Sequence, residues 1–432
     1  YEAVLDVDSV NINNFMPNDS LYHFSGNVTA HGKGFDFFDK RTLLTAKAEI
    51  TQFIYGSWNL NDVKADANVA DGRAQVNIVS HNQLADGTVG LDALIDTSRV
   101  DATFSTDLRK ADFYRLRIVE KPLTTSICAH IDVASDLDQY HKLEGSLSDI
   151  TLRGEKKTFR PADITVDMLT RTDTTWAKLN SGNLELDLKA SGGYMTLIDQ
   201  VTALGDEMVR QLEQKVIDQP RLRELLPTVK MHFYCGNDNP FAGMLRAKGL
   251  EFDDLTLNIN TSPAKGLNGD GHLYSLISDS LQIDTVAFKI FQDDKNVHYS
   301  GQVRNNYKNK QFVFNALFDG MLLERGAELN ARYYDAENVL GVKLGAIAEV
   351  IDSGINVRLQ PMRPVLGYKE FNLNSDNFVY LGADKKIKAK IDLIADDGTG
   401  VKIYSEEQDP TLLQDITVSL NKFDLEKITA VI

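Results

Sequence analysis

Leu184-Glu185-Leu186-Asp187-Leu188-Lys189-Ala190 places an apolar residue at every second position and a charged one between each pair. A period of two sends the apolar side chains to one face of a strand and the charges to the other. The same alternation recurs along the chain. Val76 and Ile78 carry it in Ala74–Ser80, and Ile164, Val166 and Met168 carry it further on. Leu255, Leu257 and Ile259 repeat it, as do Ile355, Val357 and Leu359. Ile387, Ala389, Ile391 and Leu393 come next, and Ile416, Val418 and Leu420 close the series. Leu281 and Ile283 complete the set expected to share the apolar face. Strands with one dry and one wet face belong to antiparallel sheets. The dipeptides Asp71-Gly72, Asp86-Gly87, Asn268-Gly269, Asp270-Gly271 and Asp397-Gly398 read as hairpin turns between them.

One segment has a different period. From about Met195 to Gln219 the apolar residues Leu197, Val201, Leu204, Met208, Leu212 and Val216 step by three or four, which makes a single helical stripe. Gly192-Gly193 precedes it, Pro220 is expected to stop it, and Arg221–Leu226 adds a short turn before Pro227. This is an amphipathic helix whose stripe is expected to pack on the dry face of the sheet, with Leu197, Val201, Leu204, Met208 and Leu212 capping it. Its polar face mixes Asp199, Glu207, Arg210, Glu213 and Lys215, unlike the basic face of a membrane-surface helix. The turn-rich run Tyr234–Phe241 is expected to mark the return to strand.

The composition agrees with long sheets. In 432 residues there are only 10 prolines, so there are few places where a hydrogen-bonded ladder must stop. Hydrophobic residues make up 43% and charged ones 25%, which excludes a disordered chain. The net charge of −16 argues against nucleic acid and anionic membrane faces as partners. No apolar run approaches the ~20 residues of a membrane-spanning helix, and neither end carries a signal peptide. With Tyr1 in first place, the chain is expected to be a segment of a larger protein whose anchor lies elsewhere.

A one-sided sheet must cover its dry face. With so few linkers, the expected solution is one long sheet curled over itself, an all-β, mainly antiparallel trough with one helical insert. At ~12–15 residues per strand and turn it holds about 25 to 30 strands and runs on the order of 100 Å. The expected organisation is sheet over 1–192, helical insert over 193–227, and the same sheet over 228–432. A dry trough of this kind suits acyl chains.

Several runs carry a family texture: SGNVTAHGKGFDFFD at Ser25–Asp39, AKAEI at Ala46–Ile50 and GSWNL at Gly56–Leu60. VKADANVADGRAQVNIVSHN at Val63–Asn82, LADGTVGLDALID at Leu84–Asp96 and LNSGNLELDLKAS at Leu179–Ser191 continue it. Together they resemble the TamB proteins, AsmA-like components of the translocation and assembly module of Gram-negative bacteria. The resemblance covers most of the chain, helical insert included, and rests on β texture rather than a catalytic signature. It implies a periplasmic β-taco, a half-open sheet with a hydrophobic groove, in a protein anchored in the inner membrane outside this segment. It further implies phospholipid traffic between inner and outer membranes, a role in outer-membrane protein assembly, and an outer-membrane barrel of the TamA type as partner. The family's barrel-docking domain is its C-terminal one, whose signature is not visible in these residues, so no barrel contact falls on them.

The chemistry of an enzyme is not in view. There is no phosphate loop, and His31-Gly32-Lys33-Gly34 lacks the strand–helix context of a dinucleotide fingerprint. The eight histidines are scattered, no Gly-x-Ser-x-Gly elbow occurs, and Asp396-Asp397-Gly398 lacks calcium-loop spacing. Cys128 and Cys235 have no metal-ligand spacing and read as small buried residues. The expectation is a non-enzymatic lipid conduit without cofactor, its groove lined by the alternating residues. The second reading is a scaffold whose open edge pairs with outer-membrane protein strands. A membrane β-barrel is opposed by the mid-chain helix and the missing aromatic girdles. A carbohydrate-active enzyme with two hidden carboxylates is the remaining alternative.

Overall fold

The computed structural model describes all residues except 15, 16, 18–20, 35, 37, 38, 57, 279, 280, 308, 310, 311, 407–413 and 423–432. Phe35, Phe37, Phe38 and Ser57 of the family-like runs therefore lie outside the described residues. The protein is all-β and mainly antiparallel, 64% strand and 10% helix, with thirty strands among the described residues. It divides into two units. The first is Tyr1–Tyr194 with Asp238–Gly243, and the second is Met195–Asn237 with Met244–Ile432. The helical segment is thus part of the second unit rather than a third body. Asp238–Gly243 joins the first because the Asp238 backbone N–H and the Asn239 amide both donate to Asn183 Oδ1, at 3.1 and 2.9 Å.

In the first unit consecutive strands pair as an open, curled meander, and the register sorts residues by polarity. From Val76 the cross-strand partners run through Leu91, Phe104, Ile131, Gly145, Val166 and Leu179 to Leu186. In the other direction they run through Ala67, Ala46 and Ala30 to Ala3. Every member is apolar or glycine. One residue along, Asn77 leads to Gly90, Ser105, His130, Ser146, Thr165, Asn180 and Glu185, a wholly polar row apart from its glycine. Partners in an antiparallel ladder share a face, so the unit has one dry face and one wet one.

The second unit repeats the device. Leu257 pairs with Phe233 on one side, and through Gly271, Phe288, Gly301, Phe318 and Ala331 it reaches Leu344 on the other. The adjacent row from Asn258 holds His232, Asp270, Lys289, Ser300, Asp319 and Asn330. Two of the sequence's apparent turns are absorbed by these rows. Asn268-Gly269 and Asp270-Gly271 lie inside the Gly266–Ser278 strand, not between strands. A Cβ on Gly271 would come within 2.6 Å of the Phe288 ring, so glycine there makes room for a neighbouring aromatic. Asp86-Gly87 is likewise a strand irregularity, where the register shifts against Leu108. Asp71-Gly72 and Asp397-Gly398 are turns as expected.

The helices differ from expectation in three ways. Helix α1 spans Tyr194–Gln214 and ends as Lys215 takes a positive φ of 54°. Pro220 does not stop it but opens a second helix, α2, Gln219–Glu224, capped by Asp218 whose carboxylate accepts from Arg221 N. A third, α3, occupies Pro240–Ala247, where the sequence suggested only turns; the Asn239 side chain caps it through Ala242 N. The preceding Tyr234–Gly236 is the end of the Val229–Gly236 strand.

One fully packed apolar cluster stands out. Phe371, Leu373, Ile391, Leu393 and Ala395 are 2–7% exposed and hold Leu359, Leu366, Val379, Val401 and Ile403 against them. Two short strands, Lys369–Glu370 and Asn372–Leu373, flank Phe371, and this stretch carries Phe371 and Leu373 into the cluster.

Candidate apolar groove

Outside that cluster the dry face is lined but not filled. Val76, Ile78, Ile164, Val166, Leu186 and Leu188 are half-buried in the first unit, as are Leu255, Leu257 and Ile259 in the second. Leu91, Phe288 and Leu329 are exposed by more than a third although they sit mid-row. A packed core leaves such side chains near zero. The dry face is therefore an open apolar surface, partly screened by its own side chains.

Placed by register, most expected groove residues fall on the dry face: Val76, Ile78, Ile164, Val166, Leu184, Leu186 and Leu188 in the first unit. Leu255, Leu257, Ile259, Ile355, Val357, Leu359 and Ile387 do so in the second. Leu281 and Ile283 stand apart from these rows. Between the pairs Tyr274–Thr285 and Leu276–Ile283 the ladder is interrupted, where Ser275 takes a positive φ of 54°. The register is the same on both sides of it, and Leu281 and Ile283 sit at odd spacing from Val286, Phe288 and Ile290, so period two does not carry the dry row to them. Ile391 and Leu393 share the dry face but are 7% and 6% exposed inside the packed cluster, closed to any ligand. Leu184, at 8% exposure, is also covered.

The helix corrects a second expectation. Its covered side is Leu197, Gln200, Leu204, Glu207 and Gln211, whereas Val201 is 57%, Met208 55% and Leu212 80% exposed. The apolar stripe is therefore left largely uncovered, and only Leu197 and Leu204 of the five cap residues are half-buried. What the helix does provide is a roof at its C-terminal end. Met208, Leu212, Val216 and Ile217, with Leu222 of α2, face Leu322, Val350, Ile355 and Leu381 across a cavity of about 750 Å³. Val350, Ile355, Leu381 and Ile387 form one cross-strand row of the dry face. The cavity is thus the place where helix and groove meet.

Hydrogen bonds fix this roof. Ile217 N donates to Glu324 O at 2.7 Å, and the buried Gln219 donates to Leu322 O at 2.8 Å while accepting from Val297 N. Gln211 accepts from Asp218 N at 2.7 Å, closing the link between the helices. Arg223 donates to the carbonyls of Pro263, Ala264 and Asp293 at 2.6–2.9 Å. The Arg210 guanidinium, then the Gln211 amide, hold the Glu207 carboxyl down at about 2.

Two tyrosines interrupt the dry rows. Burial pushes the hydroxyls of Tyr299 and Tyr333 above the usual range, and Tyr299 donates to Glu328 O at 2.6 Å, which satisfies it. The wet face carries ion pairs such as Lys64–Glu49 at 2.8 Å and Arg332–Asp319 at 2.6 Å. Exposed pairs of this kind add little net stability, so they keep the face hydrated more than they hold the fold. Neither Cys128 nor Cys235 is in a disulfide among the described residues; Cys235 is buried as expected, whereas Cys128 is only half-buried.

Sequence reasoning missed Phe288, Phe318, Val350, Leu381, Ile217 and Leu222. The two phenylalanines alternate with glycine across strands, a signal visible only once the pairing is known. Ile217 and Leu222 sit at the break that makes two helices of one helical-looking run. No family model matches the chain, no curated protein matches it, and no solved structure matches it.

Proposed function

We propose that this chain is a non-enzymatic conduit segment whose dry face holds phospholipid acyl chains, as in a TamB-like periplasmic bridge between inner and outer membranes. The observation that carries the reading is the unbroken apolar row from Ala3 to Leu186, left half-open instead of packed. An apolar surface this continuous calls for an apolar occupant. Each buried methylene contributes ~0.8 kcal/mol, so an acyl chain is held along the rows without any single specific contact. The acidic surplus of the chain keeps such a segment in solution. Head groups stay at the open side, where they remain hydrated.

A second reading has its own observation. The Glu2–Asn11 strand pairs only with Leu21–Lys33 among the described residues, and Val4 and Leu5 are 68% and 50% exposed. Its open edge suits strand addition by a partner polypeptide, the scaffold reading.

Organic extraction and mass spectrometry of gently purified protein separate the two. Stoichiometric phospholipid supports the conduit, and a lipid-free preparation that captures unfolded outer-membrane strands supports the scaffold. Leu186→Asp and Leu257→Asp place an unpaired charge on the dry face and are expected to abolish lipid retention, whereas Leu→Ala at the same positions leaves it largely intact. Full lipid retention in both folded Asp variants contradicts the conduit.

A further inference from the structure

We infer that Tyr307, Tyr333 and Tyr368, gathered around the Asp335–Glu337 turn at one end of the second unit's sheet, take the ammonium of a zwitterionic phospholipid head group. The inference rests on the groove reading and deepens it, since it gives one rim of the groove a head-group preference. Three chain reversals meet there. The one after the Val297–Asn305 strand carries Tyr307, the one after Gly326–Tyr334 carries Asp335 and Glu337, and the one after Gly354–Leu366 carries Tyr368. In an antiparallel meander every second reversal lies at the same end of the sheet. Tyr333 belongs to the dry face, since it pairs with Ala316 and Val342, two residues along from the Phe318–Ala331–Leu344 row. Phe314 stacks on it, with ring centres 6.0 Å apart and planes at 15°. Tyr333 and Tyr368 both reach over Gly341, where an added Cβ would lie 3.2 Å from either ring. Glycine leaves the two rings that room. Tyr307 joins from the third reversal: its hydroxyl donates to Ala336 O at 2.8 Å, and it is 82% exposed.

The charge of this corner has one sign. Asp335 Oδ1 accepts from Glu337 N at 3.1 Å and Val339 N at 2.8 Å, and neither carboxylate is ion-paired among the described residues. Burial, then the Asp335 carboxylate, pushes the Tyr368 hydroxyl up to about 12, and the same two causes raise Tyr333. Both phenols therefore stay neutral beside a negative charge. Ring faces, phenol oxygens and two carboxylates make a surface that attracts positive charge and repels an anion. An alkylammonium matches it, with its charge toward the carboxylates and its methylenes on the rings. The corner is also continuous with the dry face. Phe314, Ala316 and Phe318 lead from it along the Phe314–Leu323 strand into the apolar rows, which is where the tails of the same molecule lie. That continuity selects a lipid over a free amine.

Short-chain phosphatidylcholine and phosphatidylglycerol share tails and phosphate and differ in the ammonium, so isothermal titration with their monomers tests the corner. The wild-type chain is expected to bind phosphatidylcholine about fivefold more tightly, the effect of one exposed cation–π contact beside a carboxylate. Asp335→Asn combined with Glu337→Gln keeps the hydrogen-bond acceptors of the turn and is expected to erase the preference. Tyr307→Leu changes no charge and is expected to narrow it to about twofold. Equal affinity for the two lipids in the wild type, or an unchanged preference in either variant, overturns the corner. Choline chloride that competes as well as the lipid does overturns the assignment to a lipid head. A photo-crosslinker at Leu257 reads the groove separately. Lipid labelling there with equal affinities for the two head groups leaves the conduit standing and the corner refuted, and no lipid binding by either measurement removes both.

Discussion

Leu184–Ala190 and Ile387–Leu393 carry the same alternation, yet one borders an open face and the other closes into a core. Leu186 and Leu188 remain half-buried between the covered ends Leu184 and Ala190, at 8% and 7%, while Ile391 and Leu393 are 7% and 6% exposed inside the packed cluster. The difference lies in the chain laid over each stretch. Ahead of Ile387–Leu393, two short strands bring Phe371 and Leu373 onto the sheet, and Phe371 becomes 2% exposed. Among the described residues nothing comparable crosses the Val76–Leu186 rows. Alternation thus settles which face is dry, and the covering segment settles whether that face serves packing or a ligand.

Core truncations test this contrast most severely. Phe371→Ala and Leu393→Ala are expected to cost about 2–5 kcal/mol in denaturant unfolding, because each leaves a cavity in a filled cluster. On the open face, Leu257→Ala and Val76→Ala remove area that was never fully buried and are expected to cost about 1 kcal/mol or less. Equal costs in the two regions would mean that the open face is packed after all.

Next in size is the roof. Gln219→Ala removes a donor to Leu322 O and an acceptor for Val297 N at a buried position, and is expected to cost about 1–3 kcal/mol. Hydrogen exchange should show the gain in opening at 216–226 and not at the Phe371 cluster. A uniform gain in both places would erase the distinction between the two regions.

A pH dependence is the most modest consequence. Glu207 is held at about 2 by Arg210 and Gln211, below the ~4.3 of a free glutamate. A depressed carboxylate adds stability that is present above about pH 4 and lost as pH falls through about 2. Helical circular dichroism of α1 should therefore weaken between those values, and Arg210→Ala should move the loss toward pH 4. An acid profile unchanged by Arg210→Ala contradicts the assignment.

Much of the fold was readable in the residues, since period two is a local property. The strands, their antiparallel class, the helical insert and the dry-face placement of Val76, Val166, Leu186, Leu257 and Ile355 all derive from it. The failures are non-local. Leu281 and Ile283 alternate with polar residues as convincingly as Leu255 and Leu257, but they stand at odd spacing from Val286, Phe288 and Ile290 of the same strand, and only the pairing with the Gly266–Ser278 strand shows which of the two sets joins the dry rows. Asn268-Gly269 mimics a turn because glycine serves chain reversals and crowded strands equally. The placement of α1, which leaves Leu212 80% exposed, goes with the tethers of Gln211 and Gln219 to backbone beyond the helix, and no helical wheel contains them. The cavity under α1 joins residues far apart in sequence, Met208 and Leu381 among them, and left no local trace.

On this account one face of the sheet holds acyl chains and the other holds water. A photo-crosslinking residue placed in turn at Leu257 and at its neighbour Asn258, in protein purified with its native lipids, distinguishes the two faces. Phospholipid adducts at Leu257 and none at Asn258 are the predicted result. Equal labelling at the two positions, or polypeptide in place of lipid at Leu257, would contradict it.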